Sequence, residues 1–263
     1  MGRIIAFANQ KGGVGKTTTC VNLSAYLAAM GKKVLMVDLD PQGNATSGVG
    51  IDKAGDIKSI YNVISGEVPV EEVVKRTSIE GLDMIPSELN LAGAEIELVQ
   101  MEFRENMLKN ILNRLRNSYD YITIDCPPSL GLLTVNALTS CDSVLIPIQC
   151  EFFALEGLSQ LMNTIKLVKK HLNANIDVEG VVLTMKDARS NLINEVSNEI
   201  RKFFGKKVYD TAIPRNIRLA EAPSHGQTIL TYDPRSKGAI AYLELAEEFL
   251  KRNNDNIKKA KVN

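Results

Sequence analysis

The sequence has no apolar run near the about eighteen residues that a helical membrane span requires. Its N-terminus lacks the basic stretch, apolar core and small-residue cleavage site of a secretory signal. A cytoplasmic location is therefore expected. The four cysteines (Cys20, Cys126, Cys141 and Cys150) form no C-x-x-C pair. Metal sites need closely spaced ligand pairs, so reduced and buried thiols are expected instead. His171 and His225 are isolated, which argues against a metal or catalytic-triad role for either. There is no internal repeat, low-complexity block or Pro/Gly/Ser-rich linker. The 263 residues are long enough for one large α/β domain.

Net charge is also absent, but the balance is uneven along the chain. Residues 184–218 hold eight Lys or Arg against four Asp or Glu. Residues 251–263 hold five against one. A basic C-terminal third on a neutral chain suits a polyanionic partner, although a solvated helix face gives similar sums.

Short apolar runs recur: Ile4–Ala8, Val34–Val37, Leu82–Ile85, Tyr121–Ile124, Ser143–Ile148, Val178–Leu183 and Val208–Ile213. They are continuous rather than alternating, as parallel strands covered on both faces are. Helical periods lie between them. Cys20, Leu23, Leu27 and Met30 share a face, with Gly31 placed for a C-cap. Leu155, Leu158, Leu161, Met162, Ile165 and Val168 form a second stripe, and Ile240, Leu243, Ala246 and Leu250 a third. The alternation predicts a single doubly wound, mostly parallel β-sheet with helices on both faces. The domain is expected to span residues 1–252, with 253–263 a basic, flexible tail. Residues 44–81 are irregular, and 88–118 read as a long polar helix.

Chemistry concentrates where the first strand ends. In "NQKGGVGKTTT", residues 9–19, a glycine-rich turn separates a strand from a helix. Gly12, Gly13, Val14 and Gly15 offer backbone N–H groups that close around phosphate oxygens. Lys16 reaches the β- and γ-phosphates, and the Thr17 hydroxyl suits Mg²⁺, with Thr18 beside it. The first glycine of the ordinary phosphate-loop spacing would be residue 10, which is Gln10; Lys11 opens the loop instead. In "VLMVDLDPQGN" a strand ends at Asp38 and Asp40, at the sheet edge where α/β proteins bind ligands. Either could order water or Mg²⁺, and Asp38 equally suits a capping role. In "YDYITIDCPPSLG" a strand ends at Asp125, placed to hold a water on Mg²⁺, before Pro127 and Pro128 stiffen the turn.

The loop Lys11–Thr17 resembles the deviant Walker A pattern, K-G-G-x-G-K-[ST], at every position. "FANQKGGVGKTT", "VDLDPQGNAT", "YITIDCPPSLGLLTVNAL", "VLTMKDARSN", "AIPRNIRLAEAPSHGQ" and "KGAIAYLELAEEFL" extend the likeness over nearly the whole chain, to the ParA-type partitioning ATPases. It is similar to their short chromosomal members, so no N-terminal DNA-binding extension is expected. The resemblance implies an ATP- and Mg²⁺-dependent homodimer with two nucleotides sandwiched between subunits. It implies non-specific binding of double-stranded DNA, association with the nucleoid, and a ParB-type partner that stimulates slow hydrolysis. Lys11 would reach the partner's phosphates, although it could simply be solvated beside the loop. Asp40 would position the attacking water with Asp38 in support. Arg189, Arg218 and Arg252, with Lys186 nearby, would contact DNA phosphates. Met185 and the turn Pro214, Arg215 and Asn216 would hold adenine. The main rival is a membrane-cycling ATPase of the MinD type, but "KRNNDNIKKAKVN" has too few apolar residues for an amphipathic anchor. A reductase similar to the nitrogenase iron protein needs interface cysteines, and none lies between Cys20 and Cys126. A non-enzymatic scaffold is hard to reconcile with both Asp40 and Asp125.

Overall fold

The continuous apolar runs become strands because helices cover both of their faces. The computed structural model describes residues 1–53, 55, 57–151, 154–186 and 191–255. Among them, β1 (Arg3–Phe7), β2 (Val34–Asp38), β3 (Lys75–Arg76), β4 (Leu82–Ile85), β5 (Tyr121–Asp125), β6 (Ser143–Gln149) and β7 (Asp177–Thr184) form one sheet. Their order is β3-β4-β2-β5-β1-β6-β7, and only the short edge pair β3–β4 is antiparallel. Successive side chains of a strand point to opposite faces. Ile4 and Ala6 therefore join one core with Ile122, Ile124 and Val144, while Ile5 and Phe7 join another with Met36 and Leu145. Helices Met107–Leu115, Leu132–Ser140 and Ala154–His171 cover the first face, and Lys16–Ala29 and Lys237–Arg252 the second.

The helix Lys16–Ala29 ends in a Schellman motif: Gly31 N–H donates to Ala28 O at 2.8 Å and Lys32 N–H to Leu27 O at 3.1 Å. Gly31 has φ 85°, a conformation that glycine adopts without a Cβ clash. The last long helix is started by Ser236, whose hydroxyl accepts from Ala239 N at 3.1 Å. Such a cap contributes about 1 kcal/mol.

Two sequence expectations change. Val208–Ile213 is not a strand. Tyr209 N–H and Ile213 N–H do reach Val181 O and Leu183 O. Between them, however, the Asp210 and Thr211 N–H groups turn to the Glu248 carboxylate, each at 2.9 Å. That side chain competes successfully with the ladder. Residues 88–118 form two helices, Leu91–Val99 and Met107–Leu115, rather than one. Phe103 breaks the run at φ 55°, and the Asn136 side chain binds the break by accepting from Leu108 N and donating to Arg104 O. The body also continues slightly past residue 252. Asn253 donates to Glu179 at 3.0 Å, and Asp255 accepts from Tyr121 and pairs with Lys32.

Candidate nucleotide site at the sheet edge

Parallel register brings the carboxyl ends of β1, β2 and β5 level. Phe7 and Asp38 both stand opposite Asp125. The loop after β1 then curls over this edge through Gly13 at φ 73° and Gly15 at φ 83°. Gly15 begins the helix Lys16–Ala29 with no side-chain cap and no acidic residue in the first turn. The first N–H groups of that helix are thus left for an external anion, favoured by the helix dipole. The loop is held from outside: Asn9 accepts from Lys11 N at 3.1 Å, and Thr184 Oγ1 donates to Val14 O at 2.8 Å. Gly12, Gly13, Gly15, Lys16, Thr17 and Thr18 line a cleft of about 550 Å³ with Asp40 and Pro128. Val14 is buried and does not line it.

The two lysines part company. Lys16 is only 6% exposed and donates to its own loop at Lys11 O, 3.0 Å away. Burial lowers its pKa from the ordinary lysine value, against the opposing pull of Asp125 and Asp40. Lys11 turns away from the cleft lining, and its ammonium pairs with Glu151.

The three carboxylates are differently placed. Asp38 is fully buried and accepts from Thr46 N, Thr46 Oγ1 and Asp40 N at 2.8–3.1 Å. Burial nevertheless pushes its pKa up to about 6. Thr46 Oγ1 in turn accepts from Ser87 N at 3.0 Å, so Asp38 organises the loop that follows it. Asp40 lines the cleft and accepts from Gln42 N at 3.0 Å. Asp125 is fully buried, and neither carboxylate oxygen makes a hydrogen bond of ordinary length. Burial and then the charge of Asp38 drive its pKa well above the carboxylate range, with Thr17 and Lys16 opposing.

An acid whose folded pKa is raised binds protons more readily folded than unfolded. The penalty is absent below the unfolded value of about 4 and grows as pH rises from there toward the folded pKa. In EDTA and without nucleotide, Asp125→Asn is therefore expected to be more stable than the parent at pH 8, because it removes a buried charge. The gain should shrink toward pH 4. Denaturant unfolding at both pH values checks this, and a variant no more stable than the parent at pH 8 sinks it.

A second cavity of about 350 Å³ joins the cleft at Gly15, Thr18 and Met185. Met185, Pro214, Arg215 and Asn216 all line it, with Tyr242 and Leu219. The structure thus brings these residues beside the phosphate loop, although nearly thirty positions separate Met185 from Pro214. The link is backbone: Lys186 N–H donates to Ile213 O at 3.0 Å. Met185 has φ 50°, in the left-handed region that non-glycine residues seldom adopt.

The basic residues divide. Arg218 is half-exposed on the short helix Ile217–Glu221, paired with Glu221 and Asp233 at 2.8 and 3.4 Å. Lys186, directly after Met185, is partly exposed. Arg189 lies outside the described residues. Arg252 is committed internally. Its guanidinium donates to Lys206 O and Val208 O, pairs with Glu248 at 2.6 Å and lies 4.1 Å from the Tyr209 ring centroid.

A protein-family model described as an AAA domain matches residues 2–178. The sporulation initiation inhibitor protein Soj of Bacillus subtilis is 61% identical over 248 residues, covering 94% of this chain and 98% of that protein. The chromosome partitioning protein ParA of Caulobacter vibrioides is 50% identical over 260 residues, covering 98% and 97%. The chain belongs to the ParA/Soj family of chromosome-partitioning ATPases. Among solved structures, cobyrinic acid a,c-diamide synthase from Mycobacterium smegmatis, with bound ATP analogue and magnesium, has a TM-score of 0.85 at 36% identity. It covers 99% of this chain and 100% of that one. The Pyrococcus furiosus cell division ATPase MinD has a TM-score of 0.79 at 30% identity, covering 96% and 100%.

Within this ParA/Soj chain, sequence reasoning missed Glu151, Thr184 and the segment around Leu219–Ser224 that walls the cleft. Glu151 had a usable signal: it is a carboxylate just past the end of an apolar strand. Thr184 had none beyond its place at the end of β7. Among the described residues no helix is long and apolar enough to cross a membrane, and no group of His, Cys, Asp or Glu forms a separate metal cluster.

Proposed function

We propose that this ATPase is a dimeric switch: ATP closes two subunits around two nucleotides, the dimer holds DNA without sequence preference, and hydrolysis releases it. The observation that carries the reading is the separation of the two lysines of one loop. Lys16 is buried within its own site, whereas Lys11 is turned outward and held only by a half-exposed ion pair. A cation with that freedom suits a neighbour's phosphates.

The residues fit a nucleotide and its metal. Two buried oxygens on Asp125, with the cleft-lining Thr17 hydroxyl close by, suit a hydrated cation. Thr17 would hold Mg²⁺ directly, and Asp125 and Asp40 through water, with Asp38 in support. Bound Mg²⁺ would withdraw charge from the phosphate oxygens. Lys16 and the loop N–H groups would hold the β- and γ-phosphates, Asp40 would orient the attacking water, and the partner's Lys11 would offset charge developing on the γ-phosphate. Met185 and Pro214 to Asn216 would take the adenine in the second cavity.

For DNA the reading uses Arg218 and Lys186, with Arg189 adjacent in sequence. Exposed ion pairs such as Arg218–Glu221 are worth about 0–1 kcal/mol, so the guanidinium is free to turn to phosphate. The internal engagement of Arg252 argues against giving it the same job. A ParB-type partner would trigger hydrolysis, and the protein would act on the nucleoid in the cytoplasm. The fold likeness to MinD supports a membrane-cycling rival, but the relatives cited above at 50–61% identity are named for partitioning and sporulation control.

A DNA-retention assay with no nucleotide, ADP, ATP, and ATP with Asp40→Ala tests the scheme. Retention is expected only with ATP and to be prolonged in the variant. Lys186→Ala with Arg218→Ala should lower affinity at least tenfold at moderate salt while ATP-dependent dimerisation persists, since phosphate contacts supply most non-specific binding. Undiminished affinity at low salt would rule out this surface; retention independent of nucleotide would rule out the switch.

A further inference from the structure

We propose that Thr184 is a positioning residue for the phosphate loop, aiming the Gly15 N–H at bound phosphate. The inference rests on the nucleotide-binding reading above. Thr184 is the last residue of β7, and 170 positions separate it from Val14, whose carbonyl accepts its hydroxyl at 2.8 Å. Both residues are buried. The Thr184 methyl also lies 3.6 Å from where a Cβ on Gly15 would stand, so the side chain packs under the turn as well as bonding to it.

The consequence follows from peptide geometry. In a planar trans peptide the C=O and the next N–H point in opposite directions. Fixing the Val14 carbonyl toward Thr184 therefore turns the Gly15 N–H the other way, away from β7. No backbone carbonyl among the described residues accepts that N–H. Gly15 lines the cleft together with Gly13 and Lys16. At φ 83° Gly15 tolerates more than one peptide orientation, so the loop alone does not enforce this one. A donor seated at the end of a strand does. The strand is itself braced, since Leu183 O accepts Ile213 N at 2.8 Å and Thr184 pairs with Gln149 across the sheet. Thr184 thus lends the rigidity of the sheet to a glycine-rich turn, as preorganised anion sites require.

Thr184→Val keeps the shape and removes the donor, leaving a buried carbonyl that is satisfied only if the peptide turns. The test measures binding of Mg-ATP, of pyrophosphate and of adenosine to the parent, Thr184→Val and Thr184→Ser. Thr184→Val is expected to weaken ATP and pyrophosphate alike by about tenfold, one hydrogen bond's worth by the usual conversion, with adenosine unchanged. Thr184→Ser should bind all three within about twofold of the parent, because its hydroxyl restores the bond. If Thr184→Val does not fold, Thr184→Cys replaces it; its weak S–H donor should place pyrophosphate affinity below that of the serine variant. Parental pyrophosphate binding in the donor-poor variant overturns the proposal. So does a serine variant as weak as valine, since the hydroxyl is then not the working group, or an equal loss for adenosine, since Thr184 also lines the second cavity and would then act there rather than through the loop. A parent that binds neither ATP nor pyrophosphate is a separate result, which sinks the nucleotide reading and this proposal with it.

Discussion

Replacing Lys11 by alanine is expected to leave a folded protein that binds ATP but neither dimerises on it nor hydrolyses it. The fold should hardly notice. The Lys11–Glu151 pair is about one-third and one-half exposed at its two ends, and such pairs contribute about 0–1 kcal/mol. The subunit's own site should keep its affinity within a few-fold, because Lys16, the loop glycines and the first helical turn are untouched. Hydrolysis, by contrast, should fall about a thousandfold, the scale seen when a cation supplied across an interface is removed from phosphoryl transfer. Sedimentation with ATP separates the outcomes. A Lys11→Ala protein that shifts to dimer as the parent does would return Lys11 to the status of a solvated neighbour of the loop. Lys16→Ala would not make this distinction, since it removes binding and everything after it.

What the sequence made legible was local chemistry on regular structure. The phosphate loop announces itself because its strand, glycines, lysine and helix are contiguous, and the acidic strand ends follow because β2 and β5 are short apolar runs ending in Asp38 and Asp125. What stayed hidden was made by side chains reaching backbone far away. Glu248 draws Asp210 and Thr211 out of the sheet ladder, Asn136 binds the break between two helices, and Thr184 holds the loop. None of these has a pattern within its own neighbourhood. Arg252 shows the same limit from the other side: as a letter it was one more positive charge near the C-terminus, while in the fold it closes three carbonyls and a carboxylate around Tyr209.

The complementary substitution, Asp40→Ala, should do the opposite of Lys11→Ala: retain ATP, retain the dimer, and lose hydrolysis by about a hundred- to ten-thousandfold, the range for removing a positioned base or water-orienting group. The geometry makes this a clean experiment. Asp40 spends one oxygen on Gln42 N and faces the cleft, so its loss disturbs little else. Asp38 would be a poor choice, because its carboxylate holds Thr46 and the Asp40 N–H, and removing it leaves buried donors unmatched. Dimers trapped on DNA by ATP, with phosphate release near background, are the expected result. Phosphate release at the parental rate would move the water-positioning role elsewhere. Of the other two carboxylates at this sheet edge, Asp38 already has both oxygens engaged by Thr46 and the Asp40 N–H, so Asp125 would be the one left to carry it.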